Sequence, residues 1–590
     1  MKRPFLLLLP AMGVACTVPA PTADQLFEAL ADRYVDESLA LAPVGATFTG
    51  DHRFDGDLDQ VSPEAREESA SFARSILAEL DTIDRGELSR ANQVDAALLR
   101  NQMEGTLWGL DVNQEWAWNP TRYTGLAGGA VYSLMARDYA PVAERLDRVA
   151  DRLEQFPRLF EQIRATLDPD RVPQVHAETA VSQNRGVLSV LTNLVEPELG
   201  ALADGSEEKE RLLAAMELAR GVVEQHQAWL EEELLPNASG DFRIGAEKFD
   251  QKLAFTLHTP ITRPEIRRRA EAMLLEVHDR MYKIGLRILA DDATNGTGRR
   301  KGPPVDADKL EVIREALEVV YRERPQRGEI VPTAKEFLKQ TTDFVRAAGI
   351  VTVPDDPVEI IVMPEFRRGV SLAYCDSPGP LDVGQKTFYA VSPLPADWTP
   401  EQDRSFLREY NDMGVQVLTM HEAVPGHFLQ IAHSNRYPSA LRAILSSGMF
   451  IEGWAEYIEE MMVQEGYLGD DPKLHMVVLK LYLRSITNSI IDQGIHAEGM
   501  TREQAMENMV GKAFQEEREA AGKWVRAQLT SSQLSTYFVG YLEHLDLRRE
   551  MEERQGEAFD LLKHHDRVLS FGSPPVQFVR ALMLDLPIPE

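Results

Sequence analysis

Cysteine is almost missing from this sequence. Only Cys16 and Cys375 occur in 590 residues, so there is no disulfide framework to read. Positive charge is scarce too: 63 lysines and arginines face 94 aspartates and glutamates, for a formal net charge of -31. A chain this acidic repels a phosphate backbone over most of its surface, which argues against nucleic acid as a partner. It argues equally against docking on anionic lipid through a basic face. The surplus reads instead as a solvated acidic exterior that keeps the protein in solution. Beyond the N-terminus no apolar run approaches the ~20 residues that a membrane-spanning helix needs. Internal repeats and extended low-complexity tracts are absent as well. What is there is an ordinary globular composition, 44% hydrophobic and 27% charged, in a chain long enough to need two or more lobes.

The N-terminus has a pattern of its own. Lys2 and Arg3 precede an apolar run from Phe5 to Ala15, and small residues lead up to Cys16. These are the parts of a secretory signal, residues 1–15, and the run is about half the length of a bilayer span. A cysteine directly after Gly13-Val14-Ala15 looks like a lipoprotein processing site, with Cys16 lipidated and residues 16–21 as a short tether. An ordinary cleaved signal with an incidental cysteine is the alternative. Either way Cys375 has no partner within the chain and is expected to be a structural or buried thiol.

Amphipathic helical spacing dominates residues 22–350, as in Ala23–Asp36, Glu64–Ile83, Val142–Leu167, Glu207–Leu235 and Arg263–Leu289. Asp291–Val305, rich in glycine, proline and basic residues, reads as an exposed loop. Between about 355 and 395 the texture changes. Val358–Met363, Val370–Tyr374 and Thr387–Val391 are β-branched and aromatic, and predict a small sheet. After Pro400 the helical period returns. The expected class is mostly α with one small β element, arranged as a helical N-terminal lobe (22–350) and a second lobe (351–590).

The chemistry centres on His421-Glu-Ala-Val-Pro-Gly-His427. Zinc favours imidazole and carboxylate ligands, and a catalytic site leaves one position open for water. The familiar helical motif sets two histidines four residues apart, with a glutamate beside the first as general base. Here they are six apart, and on an unbroken helix six residues turn about 600°, leaving the side chains about 120° out of line. Pro425 removes a hydrogen bond to residue 421 and crowds its carbonyl, while Gly426 adopts backbone angles closed to other residues. The pair can therefore distort the turn and return His427 to the side of His421. A helix ended by Pro-Gly with a histidine after it is the bland alternative.

A third ligand has to come from elsewhere. In Met449–Met462, Phe450, Ile451, Trp454, Ile458 and Met461 form one apolar stripe, and Glu452, Glu456 and Glu459 lie on another face. Such an acidic stripe is by default solvated. Alternatively Glu452 turns inward as a metal ligand, with Gly453 and Ala455 leaving room for close helix packing. Two histidines, a glutamate ligand and a glutamate base suffice for metal-assisted hydrolysis.

HEAVPGHFLQ (421–430), EGWAEYIE (452–459) and RSITNSIIDQGIH (484–496), in this order and spacing, resemble the domain of unknown function 885 family. Its members are predicted bacterial metallopeptidases, often exported and several of them lipoproteins. The resemblance runs from about residue 22 to the C-terminus and is strongest over 360–575. It implies a deep cleft like that of helical zincins, one Zn2+ per chain held by His421, His427 and Glu452, and Glu422 as general base. It further suggests His496 as a donor to the oxyanion, with Asp492 as its orienter or as hydrogen-bond partner of a zinc histidine. Glu456 is assigned with Asp492 to the carboxylates behind the ligands. Arg484 is placed on the substrate, though Arg484, Asp492 and His496 would equally form an interior polar network. Gln533, Tyr537 and Gly540 match a further family pattern, with Tyr537 either an oxyanion donor or a core tyrosine. Arg367 and the strand carrying Tyr389 are expected to line the cleft, where a β edge pairs with extended substrate.

The resulting expectation is an exported zinc peptidase of the cell envelope or periplasm, its partners a peptide substrate and, through a lipid on Cys16, the membrane. A hydrolase of non-peptide amides or esters, and a non-catalytic peptide-binding lipoprotein, are the competing expectations.

Overall fold

The computed structural model describes residues 20–292, 306–363, 373–394 and 398–590. Cys16, the signal segment, most of the Asp291–Val305 loop and Arg367 lie outside the described residues.

Helices begin where the sequence supplies caps. Thr22, Ser62, Ser89 and Ser206 each accept a hydrogen bond from the backbone N–H three residues on, opening Ala23–Leu41, Pro63–Leu80, Arg90–Trp108 and Glu207–Trp229. The stretch expected as one helix over Val142–Leu167 divides into Val142–Leu153 and Phe156–Thr166, because Pro157 belongs in the first turn of a helix. Arg263–Asp291 runs unbroken for 29 residues. From residue 398 onward helix again prevails, as the returning 3.6-residue period requires.

The β element is a three-stranded mixed sheet in the order β1-β3-β2, where β1 is Val358–Val362, β2 is Ala373–Asp376 and β3 is Thr387–Val391. β3 pairs parallel with β1 and antiparallel with β2, in a register that aligns Ile360, Tyr389 and Cys375. The chain is mostly α with one small sheet, as its sequence indicates.

Packing does not divide the chain at 350. One apolar core joins Val44 to Leu234, and a larger one runs from Phe249 to Val579. Residues 249–351, assigned by pattern to the first lobe, therefore share their core with the second. Period alone shows which face of a helix is apolar, not which partner covers it. A buried ion pair joins distant parts of the chain, Arg442 Nε to Asp95 at 2.5 Å, with Arg442 also donating to the Phe571 and Ala91 carbonyls.

Candidate metal centre

Helix α1, Asp412–Glu422, ends as it delivers His421 and Glu422. At Ala423 the backbone leaves helical angles (φ -119°, ψ -94°), and helix α2, His427–Ser434, starts only after Gly426. The break falls where Pro425 cannot donate to the residue-421 carbonyl. Gly426 takes backbone angles outside the helical and extended ranges (φ -82°, ψ -131°), as its sequence context suggests. A Cβ there would also lie 1.9 Å from the His421 carbonyl oxygen and 2.4 Å from that of Met420. The chain doubles back so tightly that only a residue without a side chain fits. Trp454 fastens the turn by donating its indole N–H to the Pro425 carbonyl at 3.0 Å.

The consequence is that His421 and His427 face each other, ring centroids 4.6 Å apart and planes at 85°. Helix α3, Gly448–Gln464, brings Glu452 between them. Glu452 Oε2 lies 3.4 Å from His427 Nε2 and 3.8 Å from His421 Nε2. One ligand atom from each of the three residues falls within 4.8 Å of the others. Donors about 2.1 Å from a tetrahedral metal stand about 3.4 Å apart, so this donor set fits zinc in both chemistry and spacing.

Behind the triad, Glu459 Oε1 lies 2.7 Å from His421 Nδ1 and fixes which nitrogen His421 presents forward. Seven residues of helix return to within about 20° of the starting direction, which is why Glu452 and Glu459 reach the same imidazole. Glu456 turns aside and accepts a hydrogen bond from Ser485 of helix α4, Pro472–Ala497. Orientation of the histidine therefore belongs to Glu459 and not to Glu456. The face on which these glutamates lie is not a solvated stripe, since Glu459 is only 4% exposed.

The charges here call for a cation. Burial pushes Glu456 up to about 8, with the Glu459 charge adding to it. Burial would raise Glu452 as well, but its contacts with His421 and His427 hold it far below the usual carboxylate range. Burial would lower His421, yet Glu452 and Glu459 hold it well above the usual imidazole value.

Glu422 is 8% exposed at the end of α1 and close enough to raise the proton affinities of both Tyr389 and Cys375 by its charge. Tyr389 is wholly buried, its hydroxyl 3.4 Å from Thr419 of α1. It does not line a cleft. It packs beneath the helix that carries His421 and Glu422 and belongs to the support of the site. β3 is the middle strand, so the edge next to α1 is β2. Cys375, on β2, is a free thiol whose burial disfavours the thiolate.

Helix α3 crosses a further helix, α6 (Ser535–Gln555), with glycine against glycine: a Cβ on Gly453 would lie 2.3 Å from the Gly540 carbonyl carbon. That crossing brings Tyr537, one turn before Gly540, into the electrostatic reach of Glu452. The Tyr537 oxygen receives Arg526 Nη2 at 3.4 Å and Gln533 Nε2 at 3.5 Å. With two donors aimed at that oxygen, its own hydrogen points elsewhere. Arg526 belongs to helix α5, Glu517–Leu529, and no motif in the sequence had singled it out.

The remaining expected residues are not gathered at the triad. His496 is buried, and its Nε2 lies 2.7 Å from the Ala527 carbonyl and 2.8 Å from that of Thr530. A ring N–H held by two main-chain carbonyls is not available to an oxyanion. Asp492 hydrogen-bonds neither His496 nor the histidines of the triad. It accepts from Ser532 N, Ser535 N and Ser535 Oγ at 3.0, 3.1 and 2.8 Å, capping α6 from a neighbouring helix. Arg484 pairs with Glu519 at 2.5 Å beside the buried Lys480–Glu409 pair, in the interior network that its spacing also allowed.

The comparisons with known proteins agree with this layout. The family model described as "Bacterial protein of unknown function (DUF885)" matches residues 43–583. A candidate lipoprotein of unknown function from Shewanella oneidensis is 31% identical, with a TM-score of 0.80 over 95% of this chain and 99% of its own. A candidate lipoprotein from Colwellia psychrerythraea shares the fold at 19% identity, with a TM-score of 0.78 over 96% and 99%. No curated protein matches. On a match that spans most of its length, this chain belongs to the DUF885 family of bacterial proteins.

Proposed function

We propose that this protein is a zinc-dependent hydrolase of the bacterial envelope that cleaves short peptides in a cleft over the triad. One observation carries the reading: His421, His427 and Glu452, from three helices, bring their ligand atoms within 4.8 Å of one another. Bound there, zinc supplies Lewis acidity and lowers the pKa of a water towards about 7. Glu422 accepts the proton of the attacking water and later delivers it to the leaving amine. Tyr537 donates its hydroxyl to the carbonyl oxygen as negative charge gathers there. Glu459 keeps His421 in the tautomer that leaves Nε2 free to bind the metal.

Export is part of the proposal. It is supported by the residue 1–15 signal pattern with Cys16 after it, and by the description of both structural relatives as candidate lipoproteins. Metabolic labelling with a fatty acid, lost in Cys16→Ser, tests the anchor.

The central test measures metal and turnover together. Wild type is expected to carry about one zinc, and His427→Ala to lose it. Zinc retained without His427 overturns the ligand set. A panel of peptides, acylated amines and esters identifies the bond that is cleaved.

A further inference from the structure

We infer that Arg526, with Gln533 and Tyr537, forms a subsite for the free C-terminal carboxylate of the substrate, so that the enzyme removes residues from the C-terminal end of short peptides. The inference rests on the zinc hydrolase reading and names the substrate end for that same site.

Among the described residues Arg526 is a cation without an acidic partner, in a chain with 94 acidic residues against 63 basic ones. Its hydrogen bonds are to Gln533 Oε1 at 3.1 Å and to Tyr537 at 3.4 Å, both from Nη2. A guanidinium has five N–H donors in a rigid fork, and among the described residues Nε and Nη1 meet no hydrogen-bond acceptor. Arg526 is half-buried, as are Gln533 and Tyr537, so the group is partly open to solvent. The free edge of the fork has the shape to hold a carboxylate by two parallel hydrogen bonds.

The surroundings reinforce the positive charge. Lys523, one turn earlier on α5, and Arg484 of α4 lie nearby, with Glu519 and Glu409 as the acids among them. Burial first, and then the charges of Arg484 and Arg526, hold Lys523 well below its ordinary value, against the opposing pull of the two acids. The location is specific as well. Tyr537 stands between Arg526 and Glu452, touching the first and feeling the charge of the second. An extended peptide whose scissile carbonyl lies at the triad, and beside the Tyr537 hydroxyl, has its following residues directed towards Arg526. One phenol separates the two, so the chain ends within a residue or two of the cut, at about 3.3–3.6 Å per residue.

The test uses one pool of tripeptides of mixed composition, prepared both with free C-terminal carboxylates and as C-terminal amides. Turnover by zinc-loaded protein is read by mass spectrometry, and binding to Glu422→Gln by equilibrium dialysis. Wild type is expected to favour the free-acid pool by about 10- to 100-fold in kcat/KM, the range for a charge-assisted pair. Arg526→Gln should collapse that preference by raising KM for the acids, and Arg526→Lys should restore part of it. A merely structural role would lower both pools together. Equal handling of the pools by wild type, or a preference that survives Arg526→Gln, overturns the inference. Should neither pool be cleaved, the hydrolase reading fails and dialysis decides the subsite. Selective retention of acids that Arg526→Gln abolishes sustains it, and retention without selectivity, or none, overturns it.

Discussion

Two buried groupings of histidine and carboxylate, built from the same residue types, do opposite things in this protein. At the C-terminal end of α4, Asp492 and His496 direct their polar atoms at main-chain groups: Asp492 at the N–H groups that open α6, His496 at the carbonyls that close α5. Around Glu452, the imidazole nitrogens and the carboxylate point at one another across a gap of 3.4 to 3.8 Å. The first grouping satisfies the ends of helices. The second leaves ligand atoms facing a common point, an arrangement that burial makes unfavourable unless a cation completes it. A helical spacing of polar residues fits either outcome, and the difference lies in what the other side of each contact is.

The sharpest way to break the comparison is at the base. Glu422→Gln keeps the shape and removes the proton acceptor, so turnover is expected to fall by about 10³-fold or more while zinc content holds at wild-type level. Peptide hydrolysis assayed beside elemental analysis checks it, and undiminished turnover sinks the mechanism.

At the other grouping the expected loss is in the fold. Asp492→Ala strands the donors of Ser532 and Ser535 and should cost about 3 kcal/mol in urea unfolding, with zinc stoichiometry unchanged. Asp492 also predicts a pH dependence. Burial outweighs its hydrogen bonds and raises its pKa to about 7. Against an unfolded value of about 3.9, the native state then holds a proton that the unfolded chain releases. The stability this contributes is full below about pH 4 and is lost as pH rises towards 7. Asp492→Asn should flatten that part of the stability profile.

Glu459→Gln tests the partner of His421. Its expected effect is a 10- to 100-fold weaker zinc affinity in chelator competition, in a protein that stays folded. If Glu456→Gln has the larger effect, the assignment between the two glutamates is reversed. The smallest effect belongs to His496→Phe, which removes one donor shared by two carbonyls. Stability should drop by about 1–2 kcal/mol and zinc affinity should not change. Loss of zinc in that variant would erase the distinction between the two groupings.

Much of this protein was legible as a string of residues. Cap residues and the 3.6-residue period fixed the helices, β-branched runs marked the sheet, and HEAVPGH with EGWAEYIE marked the three residues whose ligand atoms come together, because those signals act over a few residues. Other readings failed where distance in sequence was large. The boundary at 350 ignored that Arg263–Asp291 packs along α4, far downstream. Alternation along the strand of Tyr389 cannot say which face a helix covers, and the helix of His421 covers this one. Glu459, not Glu456, reaches His421, because seven residues of helix return to nearly the direction of Glu452. Gly426 takes the unusual angles its context suggests, and what the local pattern does not show is the close approach of the His421 carbonyl, which leaves no room for a side chain.

The sequence by itself determined that His421 and His427 could be neighbours, since proline and glycine between them act locally on the backbone. The tertiary structure alone decided what meets them. The Gly453–Gly540 crossing sets Tyr537, and Arg526 beyond it, beside Glu452, and the indole of Trp454 holds the turn. Helices brought together from distant parts of the chain leave no period or motif in either segment, because the information lies in the fit between two surfaces and not in the pattern of one.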